Sequence, residues 1–161
     1  DSDAPDVLCL QELKLETDKV PIEMFTERGY EVAIHGQKAW NGVLIASKLP
    51  ISDVDRGLSA DEGQSRLIAA TIGGIRIVNL YCPQGQSVES EKFPYKLRFY
   101  DALIEYVRGI EGPLIVLGDL NIAPEDRDIY APTKFEGVPS FHPLEHERWA
   151  TPSDDIVRAS G

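Results

Sequence analysis

Cysteine and histidine are scarce: Cys9 and Cys82, then His35, His142 and His146, in 161 residues. Both thiols sit in or beside apolar strand-like runs, which predicts free buried cysteines rather than a disulfide and suits a reducing cytoplasm. His142 and His146 are four apart, but Pro143 lies between them and no third ligand stands near, so a zinc site is not expected. No apolar run approaches the ~18 residues a membrane span needs, and no basic stretch followed by an apolar one opens the chain. There is no glycine-rich phosphate loop and no Gly-x-Ser-x-Gly elbow. Basic residues are outnumbered 16 to 27, leaving a net charge of −11, which argues against a nucleic-acid binder that works by bulk attraction. Net charge governs association rather than the chemistry of a site, so an enzyme whose metal and few local cations meet a phosphate stays open.

What is present suits one soluble globular domain with a sizeable core: 42% hydrophobic and 27% charged residues. Strand-like runs fall at Val7–Gln11, Tyr30–Ile34, Gly42–Ser47, Leu67–Ile72, Ile75–Tyr81 and Leu114–Leu117. Gly73-Gly74 between two of them signals a two-residue hairpin. Helices are expected at Val20–Arg28 and Phe93–Arg108, with Gly29 and Gly109 as stops. In the second, Phe93, Leu97, Tyr100, Ile104 and Val107 recur at spacings of three and four and form one apolar stripe. Residues 124–143 read as a loop. No repeat or low-complexity tract is seen. Hairpins with separate helices point to an α+β fold, helices outside sheets.

The strongest chemical signal is Gly118-Asp119-Leu120-Asn121, following the apolar run Pro113–Leu117, read as a buried strand. On an extended segment Asp119 and Asn121 point the same way and together suit a metal-bound water and a phosphate oxygen; the alternative is an Asx-turn capping the loop. Glu12, just past Val7–Leu10, is either a metal ligand or a solvated strand end. Tyr81 ends a strand in the turn Cys82-Pro83-Gln84-Gly85, where its hydroxyl suits a phosphate oxygen and Gln84 a base or sugar; an ordinary rim tyrosine and turn fit as well. Trp40 suits stacking on a base or packing in the core, and Asn41 stands beside it. Arg66 and Lys92 suit phosphate contacts or surface salt bridges.

Four segments, in this order, carry a resemblance: Leu8-Cys-Leu-Gln-Glu-Leu-Lys14, Asn41-Gly-Val-Leu-Ile-Ala-Ser-Lys48, Asn79-Leu-Tyr-Cys-Pro-Gln-Gly85 and Gly118-Asp-Leu-Asn-Ile-Ala-Pro124. Together they resemble the exonuclease III class of AP endonucleases, of the endonuclease/exonuclease/phosphatase superfamily. His35-Gly-Gln-Lys38 and Ser90-Glu-Lys-Phe-Pro-Tyr-Lys96 resemble that branch rather than the phosphatases. The resemblance fades after about residue 128. It implies a four-layer α/β sandwich and Mg²⁺-dependent (Mn²⁺ possible) phosphodiester hydrolysis in DNA repair. The substrate it implies is double-stranded DNA with abasic sites or 3′ ends. By the same resemblance Glu12 matches the metal-binding glutamate, Tyr81 the tyrosine at the scissile phosphate, and Asp119 the aspartate acting on the attacking water. Asn121 matches the asparagine holding the phosphate, and Gln84 and Lys92 fall where the family contacts DNA. Trp40 and Asn41 are carried as substrate-binding candidates.

The family pattern also has parts not recognisable here: an Asn-bearing first strand and a closing Ser-Asp-His element. Pro152-Ser-Asp-Asp155 resembles a relic of the latter with Asp in place of His, and the residues after it suit a helix capped by Ser153 or Asp154. The expectation is one nuclease domain over residues 1–161, incomplete at both ends and weak or inactive alone, monomeric and cytoplasmic, with no membrane contact. A superfamily phosphatase, an RNA nuclease and a non-catalytic nucleic-acid-binding scaffold stand as alternatives.

Overall fold

The computed structural model describes residues 4–150; the Pro152–Asp155 element and the helix expected after it lie outside these. Two sheets carry the fold. The first has the order β1-β3-β2, all antiparallel, from β1 (Val7–Leu10), β2 (Glu31–His35) and β3 (Val43–Ser47). The second has the order β4-β5-β6-β7, from β4 (Ile51–Arg56), β5 (Leu67–Ile72), β6 (Ile75–Tyr81) and β7 (Leu114–Asp119). Only β6–β7 in it is parallel, and the crossover is the long helix α2 (Lys92–Arg108), as a parallel pair demands.

Strand parity sorts the apolar side chains into layers. Ala33, Val43 and Ile45 of the first sheet meet Ile68, Ala70, Ile72 and Ile77 of the second. The other face of the second sheet, with Leu67, Ala69, Val78 and Leu80, packs on Phe99, Tyr100 and Leu103 of α2. Leu44 and Ala46 face away from the second sheet, towards Val20, Phe25 and Tyr30. The result is an α+β stack: short helix, sheet, sheet, helix.

Gly73 and Gly74, both at positive φ, turn β5 into β6 in the expected two-residue hairpin, with Ile72 opposite Ile75. The helix expected at Val20–Arg28 shrinks to α1 (Glu23–Thr26). Val20 is extended (ψ 125) because Pro21 bars the α region from its neighbour. Helix α2 covers the expected span, but its buried face is Phe93, Tyr95, Lys96, Phe99, Tyr100, Leu103 and Val107; Leu97 and Ile104 are only half-buried. The face is rotated to place Lys96 inside, which an apolar-stripe reading excludes.

Strand β4 was not expected: Ile-Ser-Asp-Val-Asp-Arg carries three charges. It is an edge strand with an irregularity between Ser52 and Asp55, where outward charges are tolerated. Strand β7 is not the buried strand its apolar run predicts. It pairs with β6 alone among the described residues, and Ile115 is 37% exposed. The 124–143 stretch is mostly irregular, with a 3-10 turn at Asp126–Asp128 and a short helix, α3 (Pro132–Phe135), and leads into an unexpected helix, α4 (Pro143–Ala150). Among the described residues no helix is long and apolar enough to cross a membrane.

Candidate active site

The site forms where β1, β6 and β7 end together. In β6 the odd-numbered side chains face the first sheet. Asn79, fully buried, donates its amide to the carbonyls of Leu10 and Leu44, each at 2.9 Å, and accepts from Gln11 Nε2 at 2.6 Å. This one side chain ties the two sheets together directly behind Glu12. Two residues on, Tyr81 lies on the same face, and its hydroxyl donates to Glu12 Oε1. Tyr81 and Asp119 are register partners across β6 and β7. Glu12, Tyr81 and Asp119, scattered through the chain, thus stand in a row at one sheet end.

Each side chain is held. Glu12 sits at positive φ (53), and Lys14 Nζ lies 3.3 Å from its Oε2. The Tyr81 hydrogen bond, then Lys14, keep the Glu12 carboxyl below the usual carboxylate range. Burial, then the bond to Glu12, push the Tyr81 hydroxyl up to about 12. Among the described residues Arg66 forms no salt bridge, the default for such a residue. Its Nη1 donates to the Tyr81 carbonyl at 3.0 Å, its Nε to Gln64 Oε1 at 2.8 Å, and its guanidinium lies 5.1 Å from the Tyr81 ring centroid.

Asp119 and Asn121 do not share an extended segment. Asn121 is left-handed (φ 49), and its backbone N–H donates to Asp119 Oδ1 at 3.0 Å, an Asx-turn. Its side-chain amide donates to the Cys82 carbonyl at 2.8 Å, and Cys82 N–H donates to the Asp119 carbonyl at 2.8 Å. The two residues are brought together by the turn, not by strand alternation. Gly118 makes this possible: at φ 129 it lies against β6 so closely that a Cβ would sit 2.0 Å from the Leu80 carbonyl oxygen. Gly118→Ala must push β7 off β6 and adopt a backbone that L residues avoid. The expected loss is about 3 kcal/mol or more of stability, roughly 6–12 °C in melting temperature by calorimetry. An unchanged melting temperature would mean the strand end is looser than described.

The remaining candidates divide. Trp40 is 70% exposed, so it is not a core tryptophan. Asn41 is buried, and its amide donates to Gln37 Oε1 at 2.9 Å, which also accepts Ser65 N–H. Asn41 therefore braces the Trp40 loop. The side chains of Gln84 and Lys92 are exposed beyond β6. Cys82 is buried and Cys9 half-buried, both free; burial pushes the Cys9 thiol up to about 11 and the Cys82 thiol higher still. His142 and His146 serve structure. His142 Nδ1 accepts Leu144 N–H at 3.1 Å while Glu145 Oε2 accepts His142 N–H at 3.1 Å. This is a reciprocal cap at the start of α4, with Pro143 in the first turn. His146 Nε2 lies 2.9 Å from the Ala123 carbonyl.

Several supports escaped the sequence reading: Asn79 and Gln11, Gln37 and Gln64, and the Lys96–Glu145 ion pair, whose two side chains are 0% exposed. A Lys on an otherwise apolar helix face was the available signal for the last.

The family model described as "Endonuclease/Exonuclease/phosphatase family" matches residues 1–159. Exodeoxyribonuclease III of Haemophilus influenzae is 38% identical over 135 residues, covering 78% of this chain and 51% of that protein. A structure of the 3′ phosphatase NExo from Neisseria bound to product DNA hairpin superposes with a TM-score of 0.89 at 41% identity, over 92% of this chain and 60% of that one. An AP endonuclease from Archaeoglobus fulgidus does so with a TM-score of 0.84 at 36% identity, over 91% and 58%. The chain spans about half the length of the curated relatives it matches.

Proposed function

The chain belongs to the endonuclease/exonuclease/phosphatase family, and on that premise we propose that its site serves divalent-ion-dependent phosphodiester hydrolysis in DNA, as an exonuclease III-type AP endonuclease. One observation carries the reading: the Glu12 carboxylate, the Tyr81 hydroxyl and the Asp119 carboxylate meet at one sheet end, with Asn121 fixed beside them.

The donor set fits Mg²⁺ or Mn²⁺. A single exposed carboxylate, Glu12, suits a hard cation that keeps waters and takes substrate phosphate oxygens; a closed zinc site needs more protein ligands. When bound, the ion supplies Lewis acidity at a phosphoryl oxygen. Glu12 would hold it, kept ionised by Tyr81 and Lys14. Asp119, with Oδ1 engaged by Asn121, takes a proton from the attacking water at its other oxygen. The Asn121 amide, with one N–H on the Cys82 carbonyl, orients the phosphate with its second, and the Tyr81 hydroxyl, its proton on Glu12, holds that carboxylate in place. Trp40, Gln84 and Lys92 lie on exposed segments that can follow DNA beyond the scissile bond.

The shifts set the pH dependence. Glu12 is ionised at neutral pH, because Tyr81 and Lys14 hold its carboxyl below the usual carboxylate range. Tyr81 keeps its proton to about 12. The log rate plotted against pH should therefore show no limb from either group between about pH 5 and 11. A rate that falls on titrating a group near pH 10, abolished by Tyr81→Phe, would contradict this.

A second reading, removal of a 3′-phosphate from DNA, is favoured by the similarity to the Neisseria 3′ phosphatase. Equal duplexes ending in 3′-OH, carrying an internal abasic site, ending in 3′-phosphate, or bearing one ribonucleotide strand separate the readings by rate. Cleavage of the first two supports the nuclease; action on the third alone supports the phosphatase; preference for a ribonucleotide strand overturns both.

A further inference from the structure

Lys96 is an anomaly the chemistry above does not use. It lies on the inward face of α2, 0% exposed, opposite Glu145 of α4, also 0% exposed, with its Nζ against Glu145 Oε1. The same Nζ donates to the Asn121 carbonyl at 2.7 Å and to the Gln84 carbonyl at 3.2 Å, and lies 3.5 Å from Ser140 Oγ. Asn121 follows β7 and Gln84 follows β6. One ammonium group thus clasps the loops leaving both strands that carry Tyr81 and Asp119.

Burying two opposite charges is a poor way to gain stability, since a well-packed apolar pair often serves as well. An ammonium has three directional donors, and here two of them go to main-chain carbonyls of separate loops. Glu145 supplies the charge that lets the ammonium stay dry, and its other oxygen caps α4 through His142 N–H at 3.1 Å. Asn121 stands at φ 49, in the left-handed region. Its N–H, its carbonyl and its side-chain amide are each bonded, to Asp119, Lys96 and Cys82 respectively. Of these three, only the bond from Lys96 comes from outside the two loops and their strand ends.

We propose that Lys96, neutralised by Glu145, is a positioning residue: it fixes Asn121 and, through the Asx-turn, Asp119 against the end of β6. The proposal rests on the nuclease reading for its effect on rate. Its structural half is testable without that reading.

The test replaces the pair in the full-length gene product by apolar groups, Lys96→Met with Glu145→Leu, and separately neutralises the counter-charge alone with Glu145→Gln. The readouts are thermal melting, amide hydrogen exchange at Cys82, Asn121 and Ala123, and single-turnover cleavage of a duplex with one abasic site. For the double variant, exchange at these amides should quicken at least tenfold. Turnover should fall at least tenfold, with KM for DNA within about twofold and melting near that of the parent. Glu145→Gln leaves the Lys96 charge buried without its counter-charge, so the clasp should loosen partway: exchange at these amides should quicken and turnover fall, each by less than in the double variant. If the double variant keeps both exchange and turnover, the pair is structural filler and the proposal falls. It falls equally if Glu145→Gln leaves exchange at these amides unchanged, and this arm decides should the double variant not fold. If the parent itself cuts no substrate, the nuclease reading fails, and exchange alone still decides whether Lys96 holds the loops.

Discussion

Asp119→Asn in the full-length protein is expected to lower turnover by about 10³-fold or more while leaving DNA affinity within a few-fold. The substitution is nearly isosteric, and an Asn Oδ1 can still accept the Asn121 N–H that closes the Asx-turn. The backbone bond from Cys82 to the Asp119 carbonyl and the register with Tyr81 do not involve the side chain. What disappears is a carboxylate able to take a proton from water. A positioned general base contributes about 10²–10⁴ in rate, and part of the electrostatic environment of the water goes with it. Because Asp119 is exposed at the sheet end, the melting temperature should hardly move. Turnover within tenfold of the parent would take the base role away from Asp119.

Glu12→Gln is expected to act through the metal. The glutamine Oε1 can keep the Tyr81 hydrogen bond, and the side chain is exposed, so the fold is unaffected. The negative charge is gone, however, and Lys14, 3.3 Å from the carboxylate, is left as an unpaired positive charge facing an incoming cation. A Lewis-acidic ion is worth several kcal/mol of transition-state stabilisation, at 1.36 kcal/mol per factor of ten. The rate at ~1 mM Mg²⁺ should therefore fall about 10²–10³-fold, and raising Mg²⁺ or substituting Mn²⁺ should recover part of it. A titration with the same half-saturating Mg²⁺ as the parent would show that the ion sits elsewhere.

The parts of this site that could be read from sequence are those where apolar runs end in polar residues. β5 and β6 fall on their expected spans, joined by the Gly73-Gly74 hairpin. A strand ending at Tyr81 and another ending near Asp119 needed only parallel pairing to be brought side by side. The supports were illegible for identifiable reasons. The Asp119–Asn121 arrangement is a left-handed turn whose near-contact glycine, Gly118, reads as an ordinary loop residue until β6 is placed against it. The cap on α4 uses His142 where the usual signature has Ser or Thr. Lys96 hides inside a helix face because its partner, Glu145, lies 49 positions away in a helix that Pro143 seemed to forbid. Strand β4 hides because edge strands need no apolar alternation. Apart from the local cap on α4, pairing across distant segments rather than local propensity decides these cases.

The most direct measurement is cleavage of a 5′-labelled duplex carrying one abasic site by the full-length protein, mapped at nucleotide resolution with Mg²⁺ and with chelator. The account predicts a single Mg²⁺-dependent incision immediately 5′ to the site, leaving a 3′-hydroxyl and absent with Asp119→Asn. Incision that survives chelation, or that Asp119→Asn leaves intact, would contradict it.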